Sequence, residues 1–196
     1  MIIWINGAFG AGKTQTAAEL HRRIPDSFVY DPENAGFWLR KNEPEMLRAD
    51  NFQDEALWRS VNRDMLSSIA ARYDGTVLVP MTIIEPAYYR EILLPLREQG
   101  VDVRHFLLYP SKEVLEKRLR SRGEGKNAWV WRQTERCCRA FEDPVFENRI
   151  DNGTMSIPET AETIAAACGL PLLPRTGKIE NLLNRLRTTI RAVRHE

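Results

Sequence analysis

The sequence predicts an α/β fold, a five-stranded parallel sheet flanked by helices, and three observations predict it. Short apolar runs alternate with stretches of helical periodicity, which is how parallel strands joined by crossover helices read. Within the strand runs the apolar residues are consecutive rather than alternating, as expected of strands covered on both faces. The 196 residues, 43% hydrophobic and 28% charged, are material for one core, which at this length buries on the order of 70% of the unfolded surface.

Ile2-Ile3-Trp4-Ile5 is the first strand, ended by Asn6-Gly7. Lys13 to Arg23 reads as a helix stopped before Pro25. Phe28-Val29-Tyr30 is a second, brief strand closed by Asp31-Pro32, and helices follow over Glu33 to Arg40 and Asp54 to Ala71. The longer of these is amphipathic through Leu57, Val61, Met65, Leu66 and Ile69. Gly75 opens the third strand, Thr76 to Val79, before a helix over Tyr88 to Arg97. Val103 to Tyr109 is the fourth strand and Lys112 to Arg122 its helix. Residues 123–148 are polar, basic and aromatic without a clean period and read as a lid. A fifth strand around Asn148 to Asp151 precedes a helix over Pro158 to Ala167, for which Ser156 and Glu159 form a capping box. Residues 1–177 thus make one domain, and 178–196 a separate basic amphipathic helix.

Composition narrows the function classes. Lys and Arg number 28 against 27 Asp and Glu, a formal charge of +1, so no overall field draws nucleic acid. The three cysteines form no C-x-x-C pair, which argues for a reducing compartment and against a zinc knuckle. The longest apolar run, Thr76 to Ile84, contains Pro80 and falls far short of the ~20 residues that cross a bilayer. The N-terminus lacks the basic region of a secretion signal. A cytoplasmic protein is expected.

Gly7-Ala8-Phe9-Gly10-Ala11-Gly12-Lys13-Thr14 fits G-x-x-x-x-G-K-[ST], with a buried strand before it and a helix after it. The chemistry needs this pattern. Glycines let backbone N–H groups turn inward around anionic oxygens, and the helix N-terminus adds partial positive charge. Lys13 is expected to reach the β- and γ-phosphates, Thr14 to ligate Mg²⁺, and Gln15 to complete the nucleotide-binding set. Neither an N-K-x-D nor a D-x-x-G motif occurs, which excludes a regulatory GTPase.

Ligands of an open parallel sheet gather at the carboxyl ends of its strands. Asp31 ends the second strand, where it either accepts a proton from an acceptor hydroxyl or serves as a turn or helix-cap aspartate. No acid ends the third strand, so the second magnesium anchor is either Asp31 through water or Glu85 folded back. Between Lys117 and Arg139 eight basic residues face two acidic ones. Arg118 and Arg122 share one helix face; with Lys126, Arg132 and Arg136 they either neutralise a triphosphate or form a solvated surface. Phe37, Trp38, Trp58, Trp129 and Trp131 either stack on a base or sugar or pack in the core. Asp151-Asn152-Gly153 either frames the nucleotide base or is a plain turn. In the tail, Ile179, Leu182, Leu183, Leu186, Ile190 and Val193 fall on one helical stripe among arginines. That helix either lies on an anionic membrane surface or packs on protein.

Met1 to Ala17, Val29-Tyr30-Asp31-Pro32-Glu33, Pro80-Met81-Thr82-Ile83 and Glu124-Gly125-Lys126-Asn127 resemble the tunicamycin-resistance ATP-binding proteins of bacteria, and the likeness covers essentially the whole chain. More distantly, the plan is similar to nucleoside-monophosphate, shikimate and chloramphenicol phosphotransferases. The resemblance implies a P-loop kinase fold binding ATP and Mg²⁺, with the acceptor site between the phosphate loop and the lid. It matches Asp31 to the aspartate that positions or deprotonates the acceptor, and Arg118 and Arg122 to lid-side arginines on ATP. It also implies a nucleoside-type, tunicamycin-like small molecule as partner and a peripheral membrane contact through 178–196. Three functions fit: phosphorylation of the drug, ATP-dependent sequestration without chemistry, or a metabolic nucleotide or nucleoside kinase.

Overall fold

The central strand β1 (Ile2–Gly7) is buried at all six positions. In the computed structural model, which describes residues 1–121, 123, 129–177, 180 and 186–189, the reason is visible. β1 pairs in parallel with β3 (Thr76–Pro80) on one side and β4 (Val103–Leu108) on the other. β2 (Ser27–Val29) lies outside β3 and β5 (Arg149–Ile150) outside β4, so the all-parallel sheet has the order β2-β3-β1-β4-β5. Ile2, Ile3, Trp4 and Ile5 have no exposed surface, and each contributes about 1.5–3 kcal/mol by leaving water.

Helices cover both faces. α1 (Lys13–Arg23) packs against α7 (Ile157–Ala167), and α3 (Ala56–Ala70) against α4 (Pro86–Glu98). α2 (Glu33–Asn42) follows β2, α5 (Lys112–Arg120) follows β4, and α6 (Trp129–Ala140) precedes β5. Short 3₁₀ turns at Glu45–Leu47 and Phe52–Asp54 join α2 to α3. The capping box of α7 is present, the Ser156 hydroxyl accepting from the Glu159 amide while the Glu159 carboxylate accepts from the Ser156 amide.

Boundaries differ from the sequence expectations where side chains intervene. Asn51 Oδ1 accepts from the Gln53 amide at 3.2 Å, which winds Phe52–Asp54 into a 3₁₀ turn, so α3 starts at Ala56 rather than Asp54. α4 starts at Pro86 rather than Tyr88, because proline suits a first helical turn. Much of the expected aperiodic lid segment is α6: Thr134 and Cys137 are buried on it and Phe141 just beyond its end, a pattern hidden from hydropathy reading by a threonine and a cysteine. Arg122 and Lys126 lie outside the described residues, as does Glu124-Gly125-Lys126-Asn127. So do Ile179, Leu182, Leu183, Ile190 and Val193 of the tail stripe; Leu186 is described and exposed. Among the described residues no helix is long and apolar enough to cross a membrane.

Candidate phosphate-binding site

The loop between β1 and α1 is shaped by two glycines in particular. Gly7 has φ +151°, and a Cβ there would stand 2.8 Å from the Leu108 carbonyl oxygen and 3.0 Å from Ala11 Cβ. Gly12, the N-cap of α1, is left-handed with φ +101°, a conformation that costs other residues about 1 kcal/mol or more. The chain therefore turns from strand into helix within five residues, with Lys13 and Thr14 in the first helical turn.

A loop that offers its N–H groups to phosphate must turn its carbonyls away, and here those carbonyls are held from outside. The Thr82 hydroxyl donates to the Gly7 carbonyl at 2.8 Å. The Ala11 carbonyl accepts from Asn152 Nδ2 at 2.9 Å and from Arg118 Nη1 at 3.3 Å, while Arg118 Nη2 donates to the Asn152 carbonyl at 2.8 Å. The Ala8 carbonyl accepts from the Ala11 amide at 3.1 Å and from Lys13 Nζ at 3.2 Å. Lys13 also lies 5.6 Å from the centroid of the Phe9 ring. The ammonium thus rests on the loop's own Ala8 carbonyl and near the Phe9 ring.

Beneath the loop is a buried polar layer. Asn6 Oδ1 accepts from the amides of Gly7 (2.8 Å) and Ile83 (3.0 Å), and Nδ2 donates to the Ile83 carbonyl at 2.8 Å. Asn6 Nδ2 also faces His105 Nε2 at 3.3 Å, and His105 Nδ1 faces the Glu147 carbonyl at 3.2 Å. This arrangement calls for the tautomer with its proton on Nδ1. Burial pushes the His105 pKa down to about 4, against smaller opposing effects of Glu147, and the ring is neutral at ordinary pH.

Of the sequence-predicted residues, the structure brings Gly7, Ala8, Phe9, Gly10, Ala11, Gly12, Lys13, Thr14, Arg118 and Asn152 together. Thr14 is exposed at the start of α1, as a hydroxyl offered to a bound cation would be. Gln15 Nε2 donates to the Thr189 hydroxyl at 3.1 Å, so the tail returns to this end of α1. Asp151 Oδ1 accepts from the Gly153 amide at 2.9 Å, an Asx turn, while Asn152 is buried against the loop. Asp31 follows β2, and its Oδ1 accepts from the Glu33 amide at 3.0 Å, an Asx turn leading into α2. Glu85, the alternative metal anchor, is paired with Arg136 of α6 at 2.6 Å.

The aromatic residues divide. Trp58 is fully buried and donates to the Pro32 carbonyl at 3.0 Å. Phe37 packs edge-on against Phe52, Trp131 lies under Arg120, and Trp38 is 61% exposed. Trp129 meets Phe9 edge to face at 5.3 Å, which sets α6 against the phosphate loop. Asn6, Gln53 and Thr82 carry little signal in the sequence. Asn6 reads there as a strand terminator, and a polar residue interrupting the apolar run just before the first glycine is the signal that points to it.

Magnesium can be tested against these residues. Among the described residues no group of three or more His, Cys, Asp or Glu forms a metal cluster. The exposed Thr14 hydroxyl suits the single side-chain ligand that magnesium takes when phosphates and waters supply the rest. That donor set fits.

Comparison with known proteins agrees with the geometry. A family model described as an AAA domain matches residues 2–144. The structure of a tunicamycin resistance protein from Deinococcus radiodurans superposes with a TM-score of 0.77 at 36% identity, covering 89% of this chain and 98% of that one. Shikimate kinase from Bacteroides thetaiotaomicron (TM-score 0.58, 17% identity, 87% and 99% covered) shares the fold. So does an APS kinase from Mycobacterium tuberculosis, solved with AMPPNP and APS (TM-score 0.55, 19% identity, 86% and 96% covered). No curated protein sequence matches.

Proposed function

The chain belongs to the AAA domain family and, within it, to the family of the tunicamycin resistance protein, and from that premise we propose that it is an ATP-dependent phosphotransferase acting on a hydroxyl of tunicamycin or a related nucleoside-type small molecule. The observation that carries this reading is the phosphate loop, whose Gly7 and Ala11 carbonyls are held outward by Thr82, Arg118 and Asn152. A loop held in that shape before its ligand arrives binds without reorganising, and phosphoryl transfer depends almost wholly on such positioning and electrostatics.

Each residue then has a role. Lys13 leaves the Ala8 carbonyl for the β- and γ-phosphate oxygens, and the loop amides with the α1 N-terminus hold the remaining charge. Thr14 would hold Mg²⁺, which when bound neutralises charge on the β- and γ-oxygens. Asp31 takes the proton of the acceptor hydroxyl as its oxygen bonds to the γ-phosphorus; the bond from that phosphorus to the bridging oxygen breaks, and ADP leaves with the electron pair. Arg118, which donates to the Ala11 carbonyl of the loop, meets the charge that develops on transfer, and Arg122 takes the same role on the sequence resemblance alone. Residues 123–148 act as the lid, and the tail at 178–196 as the segment open to a membrane surface.

One observation favours the sequestration reading: Asp31 Oδ1 is already engaged by the Glu33 amide in the turn that leads into α2. The two readings separate on Asp31→Asn. Incubated with MgATP and tunicamycin, wild type is expected to yield a phosphorylated drug by mass spectrometry. Asp31→Asn is expected to lose 10²–10⁴-fold in rate with ATP affinity kept. Drug binding without a product, with resistance intact in Asp31→Asn and lost in Lys13→Ala, would make the protein a sequestering one.

A further inference from the structure

We infer that Thr82, with Gln53 as its partner, is a positioning residue that fixes the acceptor side of the cleft against the phosphate loop. The sheet order places the end of β3 between β2, which leads to Asp31, and β1, which leads to Gly7. The segment just past β3, Met81 and Thr82, is therefore the one that can touch both halves. Thr82 does so with two groups: its hydroxyl donates to the Gly7 carbonyl at 2.8 Å, and its own carbonyl accepts from Gln53 Nε2 at 2.9 Å.

Gln53 is itself tightly held. Its amide donates to Asn51 Oδ1, and its carbonyl accepts from Arg59 Nη1 at 2.6 Å. The neighbouring Phe52 ring lies 5.4 Å from that of Trp58 and fills the space over Gly36, where a Cβ would stand 2.7 Å from it. Trp58 in turn donates to the carbonyl of Pro32, the residue after Asp31. A continuous path thus runs from Gly7 through Thr82, Gln53, Phe52 and Trp58 to Pro32 and Asp31. What the path does follows from its ends: it sets the separation between the phosphate being transferred and the group that receives it, and a misplacement of about 1 Å there costs roughly 100-fold.

What the acceptor side receives rests on the phosphotransferase reading, but the mechanical link does not, and the experiment separates them. Gln53→Glu keeps size but puts an acceptor where Thr82 needs a donor; Thr82→Val removes the hydroxyl at constant shape; Thr82→Ser restores it. Hydrogen exchange read by mass spectrometry, with and without MgATP alone, is expected to show protection of the loop and of residues 51–58 in wild type and Thr82→Ser. In Gln53→Glu and Thr82→Val the protection should be confined to the loop. Gln53→Glu should keep its MgATP dissociation constant within about threefold while product formation falls at least tenfold, the weight of about one hydrogen bond. Protection of 51–58 that persists in Gln53→Glu, or that wild type never shows, overturns the link. If wild type makes no phosphorylated drug but the exchange pattern holds, the reading fails and the link stands. If Gln53→Glu makes product at the wild-type rate, the link fails and the reading stands.

Discussion

The two sides of the cleft are built by different rules. On the nucleotide side the loop is over-determined: Gly7 has its N–H held by Asn6 and its C=O by Thr82, and Ala11 is gripped by two side chains from distant elements. The opposite side, from α2 to the start of α3, is made of two 3₁₀ turns and leaves Trp38, Met46, Leu47 and Leu57 between 58% and 90% exposed. Phosphate has one shape and a fixed charge, so its site can be finished in advance. The wall from α2 to α3 is looser and more apolar, and Thr82 links it to the loop through its bonds to Gln53 and Gly7.

The contrast is broken hardest at Gly7. Gly7→Ala forces a Cβ within 2.8 Å of the Leu108 carbonyl oxygen and is expected to remove about 3 kcal/mol or more of stability, read by urea unfolding, together with nucleotide binding. Next comes Arg118→Met, which should weaken MgATP roughly 10- to 100-fold while the fold persists. Combined with Asn152→Ala it should lose more than the sum, because Ala11 then keeps neither of these two donors. Titration calorimetry on the four proteins measures this.

The buried layer under the loop sharpens the contrast through pH. His105 has a folded pKa near 4 against an ordinary value of 6.5. As pH falls between those values the unfolded chain takes up a proton that the folded chain refuses. Stability is therefore full above 6.5 and declines by up to about 1.4 kcal/mol per pH unit down to about 4. Denaturation midpoints across that range check this, and His105→Gln should flatten the profile. Smallest is Trp38→Ala on the open wall. Stability should change by less than about 0.5 kcal/mol, while tunicamycin affinity falls roughly fivefold; unchanged affinity would place the acceptor elsewhere.

What could be read from the chain divides along the same line. The individual strands and helices, the capping box of Ser156 and Glu159, and the loop from Gly7 to Thr14 are local in sequence, so periodicity and motif suffice. The donors that lock the loop are not local: Asn152 reaches Ala11 across 141 positions and Thr82 reaches Gly7 across 75. Nothing in spacing announces such pairs. α6 stayed hidden because its buried positions are Thr134 and Cys137 rather than large apolar residues, and the pairing of Glu85, one of two alternatives for the second magnesium anchor, with Arg136 is equally invisible in the sequence.

Calorimetric titration of the purified protein with MgATP tests the central claim most directly. One saturable site is expected, weakened roughly 100-fold by Lys13→Ala, the loss of a charge-assisted contact to phosphate. A wild-type protein without affinity for any nucleoside triphosphate, with or without a divalent ion, would contradict it.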